Sequence, residues 1–228
     1  SIGIYPGILF GLRAYEEGMN IYTTIDSDMQ KNAIHALRDN LYKYDQKYGW
    51  RDEQVFKDFN FSILRSAYQK EGLFIISSKL DYETTKDENF DKLQNLLDIR
   101  SRIDGHEANI VIAMNDQGIQ TLDAKLNFNT VLWSSADYSW ARTIGPEGAR
   151  SPRPQSFSDF LEVGSLIYIT EKDGKNVLSQ IPIAEASLVA VDALDGSLKA
   201  YVGGFDFSKS KFDRAANSKL LPGSSIKP

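Results

Sequence analysis

Three times along this chain, two short β-prone runs face each other across a turn, and that repetition limits the fold more than any other feature. Residues 108–114 and 119–125 flank Asn115-Asp116-Gln117-Gly118. Residues 163–170 and 176–181 flank Lys172-Asp173-Gly174, and residues 187–192 and 197–202 flank Asp195-Gly196. Runs of this kind around Asp-Gly and Asn-rich punctuation read as β-hairpins. Val131-Leu132-Trp133 supplies a further candidate strand, and Gly145 to Pro154 reads as a loop from its Gly and Pro content. About five short strands with one long loop suit a small closed barrel of the OB type.

Helical periodicity appears in two other places. Residues 21–25 read as a short strand, followed by a helix with Asp26 as N-cap and Asp28 adding negative charge to the first turn. Ala33, Ile34, Leu37, Leu41, Tyr44 and Tyr48 then recur at three- and four-residue steps. This predicts an amphipathic helix of roughly six turns. Phe90, Leu93, Leu96, Leu97, Ile99 and Ile103 predict a surface helix within 86–104. Residues 58–80 are ambiguous. The fold class expected is α+β, with the barrel lying between a strand-helix unit and a C-terminal hairpin.

Composition excludes more than it selects. The chain has no cysteine, which removes a disulfide framework, a thiol nucleophile and a cysteine zinc site. Net charge is −5 and no basic run exceeds two residues, so nucleic-acid binding through a basic stripe is not expected. Ile8 to Leu12 is the densest part of an apolar stretch far too short to cross a bilayer. His35 and His106 lack a carboxylate or cysteine cluster, so they read as structural and no metal is expected. Gly203-Gly204 reads as a turn, because no phosphate-loop lysine motif follows it. Arg142, Arg150 and Arg153 make a local cationic patch. A solvated loop is the default reading, and contact with an anionic partner or a glycan strand is the alternative.

The chemistry concentrates at Pro222-Gly223-Ser224-Ser225-Ile226-Lys227-Pro228. A serine hydroxyl is a weak nucleophile until a base takes its proton. At i and i+3 of a helix start, Ser224 and Lys227 share a face, and the unpaired N–H groups there can stabilise an oxyanion and favour a neutral lysine. Ser224 is also a good N-cap after the Pro-Gly turn. A second pair of this spacing, Ser208 and Lys211, follows no helix-start signal and reads as a solvated loop.

The order of these elements is similar to one family. A hairpin ending in Val202-Gly203-Gly204, then Asp213-Arg214-Ala215, then Gly223-Ser224-x-x-Lys227-Pro228 resembles the start of the transpeptidase domain of class A, bifunctional penicillin-binding proteins. Asp213 stands where that family commonly has Asn. Tyr22-Thr23-Thr24-Ile25 and the following helix resemble the segment linking the family's two catalytic domains. The barrel, with Trp140-Ala141-Arg142 and Val163-Gly164-Ser165, resembles the OB-like insert of its Gram-negative branch.

The resemblance implies a domain order: linker 1–20, linker strand and helix 21–50, OB-like insert 51–183, and the truncated start of a transpeptidase domain 184–228. It implies a D,D-transpeptidase in which Ser224 is the nucleophile and Lys227 the base, with no cofactor and no metal. Expected partners are peptidoglycan stem peptides, β-lactams and a periplasmic or outer-membrane lipoprotein regulator, with no nucleic acid. The expected place is the periplasmic face of the bacterial inner membrane. The anchor helix, a cytoplasmic tail and a glycosyltransferase domain would belong to a missing N-terminal part. The family's Ser-x-Asn and Lys-Thr/Ser-Gly motifs occur nowhere in these residues, so this chain alone is expected not to catalyse. Two other readings stay open: a non-catalytic periplasmic binding module, and a class A β-lactamase or soluble carboxypeptidase. The linker and the long insert before Ser224 count against the last.

Overall fold

A computed structural model describes residues 22–51, 55, 88–145 and 147–219. The chain divides into two compact units, Ser1–Lys43 with Ile183–Pro228, and Tyr44–Pro182.

The first helix, α1 (Ser27–Gln46), passes through that division. Asp26 Oδ1 accepts the backbone N–H groups of Asp28 (3.0 Å) and Met29 (2.8 Å), which is the expected cap. Ala33, Leu37, Leu41 and Asp45 are buried. Tyr44 and Tyr48 do not extend this stripe as expected: they are 47% and 51% exposed, and Tyr48 lies beyond the helix end. The stripe advances in steps of four, so it reaches Asp45, and Tyr44 sits about 100° around the helix from it. The two tyrosines meet each other instead, hydroxyl to hydroxyl at 3.0 Å. The strand expected at 21–25 is not a strand over Tyr22–Ile25, and residue 21 lies outside the described residues. Thr24 Oγ1 donates to Leu198 O (2.7 Å) and Asp26 N–H to Lys199 O (3.0 Å). One backbone bond is not a ladder.

Within Tyr44–Pro182, α2 (Glu88–Arg100) precedes β1 (Glu107–Asn115), β2 (Gly118–Asp123) and β3 (Phe128–Leu132). A one-turn helix, α3 (Ser135–Tyr138), and a 3-10 turn (Phe157–Asp159) separate these from β4 (Leu166–Lys172) and β5 (Lys175–Ser179). The sheet order is β3-β2-β1-β4-β5, every pair antiparallel. β3 and β5 approach each other, with Asn176 Nδ2 donating to Asn129 Oδ1 at 3.4 Å. The result is an α+β unit built on a nearly closed, five-stranded OB-like barrel.

Its turns follow local chemistry. Asn115 Oδ1 accepts from Gln117 N–H and Gly118 N–H, closing the β1–β2 turn. Asp173 and Gly174 both have positive φ, as a two-residue hairpin turn between right-twisted strands requires.

Strand alternation supplies a core on each face of the sheet. Ile110, Leu122, Phe128, Leu166 and Tyr168 pack with Phe90, Leu93 and Leu97 of α2. Of the residues expected on the helical stripe, Ile99 is exposed and Ile103 is only partly buried, because α2 ends at Arg100 and its buried face is set by residues 90, 93 and 97. On the other side, Val111, Ile119, Val131, Ile167 and Leu178 pack with Trp50, Tyr138, Phe157 and Leu161. Leu178 N–H donates to the Tyr138 hydroxyl at 3.2 Å, and burial is the main cause that pushes this phenol up to about 12. Tyr138→Phe leaves that buried N–H without its acceptor. The expected loss is about 1–3 kcal/mol in urea unfolding of the chain.

In the other unit, β6 (Leu188–Val191) and β7 (Leu198–Val202) form an antiparallel hairpin, and α4 (Arg214–Asn217) is a single turn.

Candidate functional site

Ser224 and Lys227, with the Pro222-Gly223 turn before them, lie outside the described residues. The segment that leads to them is described as far as Lys219, and side chains from α1, from Glu185 and from β7 secure it.

Three attachments matter. Gln30 of α1 brackets Tyr201 of β7: its Nε2 donates to Tyr201 O (2.9 Å) and its Oε1 accepts Tyr201 N–H (2.8 Å). The Tyr201 hydroxyl donates to Asp213 Oδ2 at 2.7 Å. Burial first, then the Asp213 carboxylate, push this phenol up to about 12, so it remains a donor at neutral pH. The other oxygen of Asp213 accepts Ala215 N–H (3.0 Å) and Ala216 N–H (3.2 Å), capping α4. An aspartate at this position therefore acts as an N-cap, a role Asn fills equally well.

The second attachment is Arg38 on α1. Its Nη2 pairs with Asp206 Oδ2 at 2.9 Å and its Nε donates to Phe205 O at 3.1 Å. The third is Glu185, which pairs with Lys209 (2.8 Å) and Arg214 (3.6 Å) and accepts Phe205 N–H at 3.1 Å.

These contacts dispose of the rival pair. Residues 208–211 form a loop, as expected, but Lys209 is not solvated: it is held by Glu185 and lies over the Phe205 ring, 5.4 Å from its centre. Lys211 lies over the Phe207 ring at 6.0 Å rather than against Ser208, which is exposed and uses its N–H on Asp206 Oδ1 (2.7 Å). Among the described residues, no base is therefore aimed at Ser208.

The other sequence candidates have local duties. Arg142 donates from Nε to Ser151 O and from Nη2 to Arg150 O, and Arg150 Nη2 donates to Lys47 O at 2.6 Å. Two of the three cations expected on a solvated loop thus hold that loop in place, while Arg153 is exposed. His35 is exposed on α1. His106 is buried, its Nδ1 lying 3.2 Å from Asp104 O and its ring edge-on to Tyr168. Among the described residues, no group of three or more His, Cys, Asp and Glu side chains could hold a metal ion. No helix among them is long and apolar enough to cross a membrane.

Sequence reasoning missed the Glu185 and Arg38 attachments, whose partners are 20 or more residues away. It also missed a network in the barrel unit. Asp45, 4% exposed, takes both outer nitrogens of Arg51 at 2.7 and 2.8 Å and accepts Gln180 Nε2 at 2.8 Å. A signal existed: a carboxylate falling on the buried stripe 33–37–41–45 needs a buried partner.

Comparison with known proteins gives the kinship. Residues 77–184 match the family described as penicillin-binding protein OB-like domain. Penicillin-binding protein 1A of Pseudomonas aeruginosa is 31% identical over 220 residues, covering 96% of this chain and 23% of that protein. The Vibrio cholerae protein of the same name is also 31% identical, covering 94% of this chain and 24% of its own length. The chain thus spans about a quarter of the length of these relatives. The crystal structure of penicillin-binding protein 1A from Haemophilus influenzae superposes with a TM-score of 0.64 at 24% identity, covering 97% of this chain and 28% of that one, a likeness of fold. With its barrel inside the matched domain and nearly its whole length aligned to 1A-type relatives, this chain belongs to the class A penicillin-binding proteins and carries their OB-like domain.

Proposed function

We propose that this chain is the part of a peptidoglycan D,D-transpeptidase that joins its OB-like domain to the nucleophile. Ser224 attacks the carbonyl carbon of the penultimate D-Ala of a stem peptide. Its hydroxyl proton passes to Lys227 Nζ, which acts as the free amine. The tetrahedral intermediate collapses, the C–N bond breaks, and the terminal D-Ala leaves with a proton. The acyl ester then passes to an amine of a neighbouring stem peptide. The backbone N–H of Ser224 supplies part of the oxyanion hole. β-Lactams acylate Ser224 because their strained amide presents the same carbonyl. The full protein also bears the glycosyltransferase activity and a membrane anchor, and works at the periplasmic face of the inner membrane.

The observation that carries this reading is kinship to proteins named for binding penicillin, in a chain that holds a Ser-x-x-Lys pair. The placement of Lys211 over the Phe207 ring rather than against Ser208 supports Ser224 over Ser208 as the nucleophile. The test is mass spectrometry after incubation with a labelled penicillin, on the full-length protein and on this chain. The full-length protein is expected to carry the adduct on Ser224, with none in Ser224→Ala. This chain alone, without Ser-x-Asn and Lys-Thr-Gly, is expected to remain unmodified. No adduct on Ser224 in the full-length protein would overturn the proposal.

A second reading assigns the barrel unit a binding role toward a regulator or peptidoglycan. It is favoured by the two cores of that unit, which depend on neither Ser224 nor Lys227. Affinity for such a partner should survive Ser224→Ala.

A further inference from the structure

The barrel unit carries an exposed surface that neither of its cores explains. Tyr44 and Tyr48 are both about half exposed, with ring centres 5.1 Å apart and hydroxyls 3.0 Å apart. The loop that follows α3 runs alongside them. Trp50 N–H donates to Arg142 O (2.9 Å), Arg150 Nη2 donates to Lys47 O (2.6 Å), and Ile144 and Arg150 pair in an isolated β-bridge. Ile144 is exposed and lies beside Gly49, the residue after Tyr48. Lys47 and Arg150 are exposed as well. Two phenols, an isoleucine and two cations thus form one continuous patch.

Its charge is local and unbalanced. Lys47 and residues 142–154 bring four cations, Lys47, Arg142, Arg150 and Arg153, against a single carboxylate, Glu147, in a chain of net charge −5. Asp45 is already paired with Arg51. Among the described residues, Lys47, Arg150 and Arg153 pair with no carboxylate. The bond between the tyrosine hydroxyls holds two large amphipathic rings in place before a ligand arrives, which lowers the entropy cost of binding. A stable protein interface buries about 800 Å² on each partner around an apolar centre. Three part-exposed apolar side chains set among cations suit instead a sugar polymer that carries carboxylates. We propose that Tyr44 and Tyr48, flanked by Lys47 and Arg150, bind peptidoglycan, the rings lying against sugar faces and the cations pairing with stem-peptide carboxylates. The proposal rests on the second reading above, in which the barrel unit is a binding module, and gives that reading a surface and an occupant.

The test is co-sedimentation of this chain with purified, insoluble peptidoglycan sacculi over a range of salt concentrations, with folding of each variant checked by circular dichroism and Trp fluorescence. Tyr44→Ser combined with Tyr48→Ser is expected to weaken binding about tenfold or more, the loss that truncating anchoring tyrosines produces. Lys47→Glu is expected to weaken it about three- to tenfold at low salt and to flatten its salt dependence. The Lys47 backbone carbonyl remains to accept Arg150, so the loop stays in place. Lys175→Glu, the same charge change at the exposed start of β5, should match the parent chain. Binding within twofold of the parent in both the tyrosine variant and Lys47→Glu would overturn the proposal, whatever those variants do to a protein partner. So would an equal loss in Lys175→Glu. If the tyrosine variant does not fold, Lys47→Glu decides alone. Failure of the underlying reading looks different: the unsubstituted chain itself stays in the supernatant at every salt concentration, and reading and proposal fall together.

Discussion

Gly49→Ala is expected to destabilise the barrel unit by about 3 kcal/mol or more, combining left-handed strain with a backbone clash. Gly49 has φ +79°, a region that costs an L-residue roughly 1–2 kcal/mol. A Cβ placed there meets the Arg142 carbonyl carbon at 3.3 Å, and the carbonyl oxygen closer still. Backbone cannot rotate aside as a side chain can. That carbonyl also accepts Trp50 N–H at 2.9 Å, so moving it disturbs the seat of a Trp that is 2% exposed. Urea unfolding followed by Trp fluorescence should show the midpoint falling, and a change below about 1 kcal/mol would refute the steric argument.

Asp45→Ala is expected to cost about 3–5 kcal/mol, because it strips the partner from a largely buried Arg51. Asp45 accepts side-chain hydrogen bonds from both outer nitrogens of Arg51 and from Gln180. Arg51 keeps Ile181 O at 2.8 Å, and Gln180 keeps Gly49 O at 3.2 Å. What remains is a cation without its counter-ion. The diagnostic is a second variant, Asp45→Leu with Arg51→Met, which removes both charges while keeping volume. It should recover much of the loss, since a buried pair is often matched by apolar packing. If the double variant is as unstable as Asp45→Ala, hydrogen-bond count rather than unpaired charge governs this site. Gly49→Ala and Asp45→Ala share Gln180, so their combined effect should not be additive.

Kinship to the penicillin-binding proteins makes the scale of these effects relevant to function. The residues at Asp45–Arg51 hold the end of α1 to Gln180 and Ile181, just beyond β5. Local loss here should reduce the yield of folded protein before any chemistry is measured.

Particular elements show how far the amino-acid string reaches. The β1–β2 and β4–β5 hairpins were legible because Asn115 and the Asp173-Gly174 pair satisfy or adopt their turns from within. The cap of α1 was legible for the same reason, Asp26 bonding to N–H groups two and three residues on. The stripe of α1 was read correctly through Leu41 and then wrongly through Tyr44 and Tyr48. An aromatic scores as apolar in a periodicity, whereas the geometry carried the buried face on to a carboxylate. β3 was shorter in the reading than in the fold, since Phe128 and Asn129 earn their strand state only by pairing with Leu122 and Thr121.

By itself, the sequence determined turn positions, helix starts, strand alternation and the Ser224–Lys227 spacing, because each depends on atoms within a few residues of one another. The order β3-β2-β1-β4-β5, the Asp45–Arg51–Gln180 network and the gathering of Lys209 and Arg214 by Glu185 were decided only by the tertiary structure. In each of these, charges or backbone edges distant in sequence found low-energy partners only once burial had removed water as the alternative.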